Sequence, residues 1–362
     1  MHILIVSEDN WLLYDDAFRE LEARGHVVRR LTLAEHRPRA KRLRKIARYL
    51  PGKALLDLLR REIGAFQPDI IQVTASRATA LAVRLALRGN PRPAMLFERG
   101  AIGGLGLTNP IDWLTHFSAR VDAVVIPSYA MLNNWVGRPL LRRVLPPARC
   151  EVLHHPVPMP ANPSAEDRVA LRERLGLPAD AFIVGTVCNV RPIKNLVFLA
   201  RAVRAVGDGC LLAVVGRPGD DTLQAALSEA GGDSLRELGP IPDAAGIMPV
   251  FDLYATPTRM PGESFGMAPA EAMAAGLAVL TMAFGGTADL IEDGFSGLAL
   301  PPRAQAWTAA IRELMRDPER LAAMGAEARR RMRTRFSVEA VADQLERIYA
   351  RRIAQRAGDV GG

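Results

Sequence analysis

Two glutamates eight residues apart, Glu263 and Glu271, lie within the segment P-G-E-S-F-G-M-A-P-A-E-A-M-A-A-G that begins at Pro261. Gly262 permits an unusual turn, and the residues after it predict a helix from about Gly266 to Ala275 that stops at Gly276. The unpaired amides of such a helix start, near Ser264, Phe265, Gly266 and Met267, make a ready anion site. Glu263 falls at the helix entrance and Glu271 about two turns in, which sets their backbones roughly 12 Å apart. Retaining glycosidases pair their carboxylates at ~5 Å, and even the inverting range is somewhat shorter than this separation. These two glutamates suit the two ends of one elongated ligand, although two glutamates at this spacing are also commonplace as helix-face charges. Upstream, V-C-N-V-R-P-I-K-N (Val187 to Asn195) ends a strand and opens a helix, placing Arg191 and Lys194 at the carboxyl edge of a sheet. Fixed cations there suit a diphosphate, Arg through forked hydrogen bonds and Lys as a point charge; alone, they read equally well as a helix-start charge pair. Downstream, F-G-G-T-A-D-L-I-E-D-G-F-S-G (Phe284 to Gly297) offers a glycine turn, a short helix and a second turn.

The elements that must carry these residues alternate between strand and helix. Short apolar runs at Ile3–Val6, Val27–Leu33, Asp69–Val73, Met95–Phe97 and Asp122–Ile126 read as strands, separated by helix-period stretches such as Leu12–Ala23 and Thr79–Leu87. The Pro-rich H-H-P-V-P-M-P-A-N-P (His154 to Pro163) excludes a regular element and marks a linker. The alternation then resumes at Phe182–Val187, Leu211–Val215, Asp252–Ala255 and Ala278–Thr281. Two successive βαβ arrays predict an α/β chain of two Rossmann-like, doubly wound parallel sheets. Ligands of such sheets bind beyond the carboxyl ends of the strands, so a cleft faced by both domains is the expected site. The expected boundaries are residues 1–157, 158–336 and a C-terminal helix over 337–362. That helix has apolar spacing at Val341, Leu345 and Ile348, Ser337 as N-cap, and is expected to return to the first domain.

Composition narrows the function classes. A chain of 362 residues, 49% apolar and 24% charged, is ordinary for a two-domain globular protein. Cys150, Cys188 and Cys210 are odd in number and widely spaced, which predicts reduced thiols, no zinc site and a cytoplasmic setting. The start M-H-I-L-I-V reads as a strand rather than a signal peptide. The longest uncharged stretch, Ala272 to Ala288, is shorter than the ~20 residues a membrane span needs. The net charge of +8 is concentrated in residues 1–150, which hold 24 Lys/Arg against 13 Asp/Glu. Ten of those cations lie between Arg37 and Arg61, with Asp57 the one acid among them. Leu43, Ile46 and Leu50 give that stretch the pattern of a basic amphipathic helix, suited to peripheral contact with an anionic membrane; a solvated helix face is the plainer alternative. Nucleic acid is not an expected partner, since no recognised motif or interleaved aromatic run accompanies the charge.

Taken in order, the E-x7-E element (Glu263, Glu271), the Arg191/Lys194 pair and the run Gly285, Gly286, Asp293, Gly294, Gly297 resemble glycosyltransferase family 4, the retaining nucleotide-sugar enzymes of the GT-B fold. The resemblance covers about residues 180–300 and reaches the first half only through strand order. It implies that Glu271 holds the ribose hydroxyls and Glu263 the donor sugar. Arg191 and Lys194 would neutralise the departing diphosphate with the amides around Phe265 and Gly266. Gly216, Arg217 and the turn around Ile241 would lie near the base. It further implies a nucleoside-diphosphate sugar as donor, UDP ahead of GDP and ADP, a glycan or lipid-linked acceptor of the cell envelope, and no cofactor. Asp15-Asp16 and Asp220-Asp221 are adjacent pairs rather than an Asp-x-Asp motif, so no metal is expected.

The first half departs from that pattern. Where the family often has a Gly-Gly turn, this chain has S-E-D-N-W-L (Ser7 to Leu12); where it often has a His, this chain has Arg99 before A-I-G-G-L-G. Arg99 either acts electrostatically beside the donor or anchors its loop. His116 reads as structural, and His154 and His155 as donor contacts or hinge packing. The rival readings are an epimerase or phosphorylase of the same fold, and a catalytically silent nucleotide-sugar-binding subunit.

Overall fold

The computed structural model describes residues 1–8, 13–33, 49–74, 76–100, 105–161 and 164–361. They form two compact units, Met1–Pro156 together with Val338–Gly362, and Val157–Ser337.

The first unit contains, in chain order, β1 (His2–Ser7), α1 (Asp15–Ala23), β2 (Val27–Thr32), α2 (Lys53–Phe66), β3 (Ile70–Thr74), α3 (Arg77–Ala86), β4 (Ala94–Glu98), α4 (Pro110–Leu114), β5 (Ala123–Ile126), α5 (Tyr129–Val136), α6 (Pro139–Val144) and β6 (Cys150–Val152). Among the described residues these strands make one parallel sheet in the order β2-β1-β3-β4-β5-β6. Its central strands are mostly apolar because both faces are covered, with Gln72 of β3 a buried exception. Leu4, Val6, Ile71, Val73 and Phe97 pack under Leu59 and Ile63 of α2 and Ala80 and Val83 of α3. Ile3, Ile5, Leu96 and Val125 face Phe18 and Leu21 of α1.

The second unit runs α7 (Ala165–Arg174), β7 (Phe182–Val187), α8 (Leu196–Arg204), β8 (Cys210–Val215), α9 (Asp221–Gly231), β9 (Leu235–Gly239), β10 (Leu253–Thr256), α10 (Met267–Ala274), β11 (Val279–Met282), α11 (Gly286–Leu290), β12 (Gly297–Leu300), α12 (Ala304–Arg316) and α13 (Pro318–Arg335). Its sheet is parallel in the order β12-β11-β10-β7-β8-β9. Asp252, just ahead of β10, accepts from Arg168 Nη2 (2.5 Å), Arg172 Nη2 (2.7 Å) and the Ile183 amide (2.6 Å), tying α7 to the amino edge of the sheet.

The last helix, α14 (Val338–Gly361), belongs to the first unit. Val341, Leu345, Ile348 and Tyr349 are buried against the α1 face of that sheet. Tyr349 Oη donates to Gln72 Oε1 at 2.7 Å inside the core. Arg352 Nε and Arg351 Nη2 both donate to Glu151, and Arg24 and His26 meet Glu346.

The sequence expectation of a parallel α/β chain holds, with differences at the margins. Strands β9 and β12 were not expected. They are edge strands with half-exposed patterns, so they lack the continuous apolar run that reveals a central strand. The basic stretch Arg37–Arg61 is not one helix. Residues 34–48, including Leu43 and Ile46, lie outside the described residues, Leu50 is exposed in a bend, and Pro51-Gly52 separates it from α2. Proline fixes its own φ and biases the residue before it away from helix, and Gly52 is the extended N-cap of α2. Among the described residues no helix is long and apolar enough to cross a membrane.

Candidate functional site

In the second sheet the chain runs outward from β7 through β8 to β9, then starts again on the other side of β7 with β10. The crevice where order reverses, beyond the carboxyl ends of β7 and β10, is where open α/β sheets bind ligands. Lys194, in the turn after β7, and Glu263, in the loop after β10, meet there. Lys194 Nζ lies 2.8 Å from Glu263 Oε1, with both side chains largely covered. Thr258 Oγ1 donates to the same oxygen at 3.0 Å, and Thr256 Oγ1 stands 3.2 Å behind it. Glu263 is therefore held in place by a cation and a hydroxyl rather than waving on a helix face. Arg191 is exposed at the mouth of the same turn and forms no ion pair among the described residues.

Four neighbouring loops lock around this pair, each through a residue whose type is dictated by geometry. Gly216 after β8 has φ 146°, and a Cβ there would come within 2.1 Å of the Cys188 carbonyl oxygen after β7. Arg217 follows it, its amide donating to Asn189 Oδ1 at 3.2 Å and its carbonyl accepting from the Val190 amide at 2.9 Å. Asn195 sits at φ 58°, a region asparagine tolerates better than other non-glycine residues. Its Oδ1 accepts from Arg259 Nε at 2.9 Å, joining the loops after β7 and β10. Gly262 (φ 85°) and Gly285 (φ 79°) pass backbone against backbone, and a Cβ on Gly286 would lie 2.2 Å from the Ser264 carbonyl oxygen. Gly286→Ala is therefore expected to push the Ser264–Phe265 backbone aside and weaken nucleoside-diphosphate affinity at least tenfold. Titration calorimetry checks this, and an unchanged Kd would show that the close packing has no bearing on binding.

Gly266 (φ 100°) is the N-cap of α10, and Gly276 (φ 88°) follows its last turn, so glycines set both ends. The helix points its first amides, which lack intrahelical partners, at the crevice edge. Phe265 is buried and packs on Phe336 at 5.9 Å between ring centroids, so only its backbone can serve a ligand. Glu271, about one turn along α10, is half-buried, and its carboxyl is raised above the ordinary range by burial and then by Asp243. That brings the turn holding Ile241, half-buried against the core, to the Glu271 side. A carboxyl raised in the folded state favours the fold fully below its unfolded pKa, and that favour is lost as pH rises through the folded value. At pH 7 the ionised group is a cost to the empty site. Glu271→Gln is expected to raise the melting temperature at pH 7, with the gain fading toward pH 4, while weakening nucleotide binding. Parallel melts and titrations test both signs.

Cys188 lies among Lys194, Glu263 and Arg191, but burial pushes its thiol up to about 11, so it is no nucleophile at neutral pH. Asp293, Gly294 and Gly297 form the turn into β12: Asp293 Oδ1 accepts from the Ala299 amide at 2.8 Å and Gly294 N donates to Gly297 O at 2.9 Å. These motif residues build structure. Sequence reading gave no role to Thr258 or Asn195; the T-P-T repeat closing β10 and the asparagine after Lys194 were the available signals.

The first unit has its own switch point, between β1 and β3. Glu8 beyond β1 accepts from Ser76 N (3.2 Å), Ser76 Oγ and Thr79 Oγ1 (2.5 Å) at the start of α3. A cavity of about 240 Å³ opens beside it, lined by Leu33, Leu50, Leu55, Ala78 and Thr79. The rest of the Ser7–Leu12 loop from residue 9, and residues 101–104 after Arg99, lie outside the described residues. Arg99, at the end of β4, has its guanidinium pKa lowered by burial and by the like charge of Arg77, with Asp112 opposing. Arg77 Nε donates to the fully buried Asp112 at 2.6 Å, and His116 Nδ1 stands 3.1 Å from the same oxygen. Burial opposes ionisation of Asp112, yet hydrogen bonds from His116, Arg77 and the Gly106 amide hold it down to about 2. His116 is wholly buried against Phe97. His155 is buried on Tyr14 and pushed down to about 4 by burial and His154, so it stays neutral; His154 faces Tyr129.

Residues 167–331 match the model of the family described as glycosyl transferases group 1. A D-inositol 3-phosphate glycosyltransferase of Thermobispora bispora is 32% identical over 201 residues, covering 50% of this chain and 46% of that protein. The chain spans about half the length of the curated relatives it matches. A glycosyltransferase from Rickettsia africae superposes with a TM-score of 0.80 at 16% identity, covering 97% of this chain and 98% of that one. Anabaena Alr3699/HepE, solved in complex with UDP, gives 0.73 at 18% identity, covering 97% and 100%. At these identities the structural likeness is one of fold, and that fold is GT-B: two units, each with a six-stranded parallel sheet among the described residues. The segment that carries Arg191, Lys194, Glu263 and Glu271 thus lies within the stretch that matches the glycosyl transferases group 1.

Proposed function

We propose that this protein is a retaining glycosyltransferase that moves a sugar from a nucleoside-diphosphate sugar, a UDP-sugar first among them, to a hydroxyl of a glycan or lipid-linked acceptor. The observation that carries the reading is the Lys194–Glu263 pair at the switch point of the second sheet, with Arg191 beside it and the start of α10 at its edge. Transfer breaks the bond between the anomeric carbon and the phosphate oxygen and forms one to the acceptor oxygen, whose proton passes to the departing phosphate. The sugar becomes oxocarbenium-like while negative charge grows on the diphosphate, so fixed cations and helix amides aimed there lower the barrier. Glu263, fixed by Lys194 and Thr258, is suited to binding sugar hydroxyls, and Glu271 to the ribose diol. The two cations take the part a divalent metal would play, and the reaction is proposed to need none.

A neighbour of the same fold solved with UDP supports a sugar nucleotide as donor. Thermal-shift binding of UDP, GDP, ADP and CMP, with and without EDTA, tests the reading by mass action on the native state. The expected result is one nucleoside diphosphate raising the melting temperature equally with EDTA, and losing that effect in Arg191→Ala/Lys194→Ala. No shift from any of them at millimolar concentration would reject the donor site.

A further inference from the structure

We propose that the amino edge of the first sheet carries a second anion site, a cavity lined by Arg84, Arg88, Arg120 and Arg356 that takes a phosphate ester or a diphosphate. The cavity, of about 530 Å³, lies beside the turn before β4, at the opposite edge of that sheet from Arg99. Its four guanidinium groups come from separate parts of the fold: the last turn of α3, the turn that follows it, the turn before β5, and α14. Against them, among the described residues lining or bonded to the cavity, stands one carboxylate, Asp122. Arg120 Nη1 reaches it at 3.3 Å and Arg356 Nη1 at 3.4 Å, while its Oδ2 is also taken by the Met95 amide at 2.7 Å.

The other bonds of these arginines leave donors over. Arg120 Nη2 bonds the carbonyls of Pro93 (2.8 Å) and Asn90 (3.5 Å), and Arg356 Nε that of Pro91 (2.8 Å). Those bonds explain why two arginines staple the turn before β4. They do not explain Arg84, which gives one bond to Ser118 Oγ at 2.9 Å, or the exposed Arg88 beside it. Arg120 Nε is buried and meets no acceptor among the described residues, a cost an intramolecular partner would normally remove. Burial and then the like charge of Arg356 depress Arg120 to about 10, and burial raises Asp122, so crowded positive charge is left unanswered. A phosphate group answers it: up to two negative charges and three acceptor oxygens match several guanidinium forks at once. The volume admits an ester or a second phosphate as well.

The test uses the full chain in the Arg191→Ala/Lys194→Ala background, which removes the candidate donor site, so that failure here and failure of the donor reading stay distinguishable. Inorganic phosphate and pyrophosphate are titrated against sodium chloride of equal ionic strength. Vesicles of phosphatidylcholine with and without phosphatidic acid separate a free phosphate from a lipid headgroup. The expected result is a melting-temperature rise of about 3 °C at saturating pyrophosphate, or sedimentation with phosphatidic acid vesicles only. Either effect should weaken at least tenfold in Arg84→Gln/Arg88→Gln, which spares the stapling arginines and so the fold. Chloride matching pyrophosphate with no selective vesicle binding, or the double variant responding as its parent does, would overturn the site.

Discussion

Lys194→Ala is expected to lower turnover by roughly 10²–10³-fold while leaving the protein folded, and Arg191→Ala/Lys194→Ala by about 10⁴–10⁶-fold. The basis is that, on the proposed reading, each cation is one preorganised group facing charge that develops in the transition state. Lys194 carries a second duty that Arg191 does not: its Nζ sits 2.8 Å from Glu263 Oε1. Removing it leaves Glu263 with Thr258 as its remaining side-chain donor among the described residues, so on the proposed reading the carboxylate that binds the sugar is loosened along with the phosphate clamp. Lys194 and Glu263 should therefore be non-additive in a double-mutant cycle, whereas Arg191 and Glu263 should come closer to additive. Thr258 still donates to Glu263 Oε1 when Lys194 is removed, so the substitution should cost the fold little. Turnover within tenfold of wild type for Lys194→Ala would remove this pair from the mechanism.

The second large effect concerns α14. Ending the chain at Ser337 should leave the first unit unable to fold. Val341, Leu345, Ile348 and Tyr349 are fully or almost fully buried, and covering four such side chains is worth roughly 6–12 kcal/mol at 1.5–3 kcal/mol each. That is comparable to the whole stability of a typical domain, about 5–15 kcal/mol. The truncated chain should show one melting transition, from Val157–Ser337, where the full chain should show the unfolding of the first unit as well. Far-UV circular dichroism and limited proteolysis distinguish the cases; a protease-resistant first unit without α14 would refute the argument.

What the sequence disclosed follows from how local each signal is. The helix expected over Gly266–Ala275 is observed as Met267–Ala274, because both ends are set by glycines at positive φ that are visible in the residue string. Central strands were found to within a residue or so, since burial on both faces makes them continuously apolar. The edge strands β9 and β12 escaped for the converse reason. The meeting of Lys194 with Glu263, 69 residues apart, depends on the order in which strands pair, and neither segment states it alone. The same holds for Glu8 and Ser76, 68 apart. Asp112 and His116 are one helical turn apart and so were within reach of spacing arguments, yet their burial was not. The D-G-x-x-G run was legible as a turn, but not the strand β12 that it feeds.

The chain leaves the first unit at Pro156 and rejoins it at Val338, and this ordering bears on how the protein is made. A ribosome emitting about 5–20 residues per second delivers the intervening residues over roughly ten to forty seconds. Throughout that interval β1 to β6 are present with the α1 face of their sheet lacking the cover that α14 gives beside α1, since Val341 to Tyr349 have not yet been synthesised. The second unit has no such wait: its strands and helices form one uninterrupted stretch that can close as soon as it emerges. The nascent chain should pass through a stage in which the later-made unit is native and the earlier-made one is not, with the part of the Ile3, Ile5, Leu96 and Val125 face that α14 later covers as the surface a chaperone would shield.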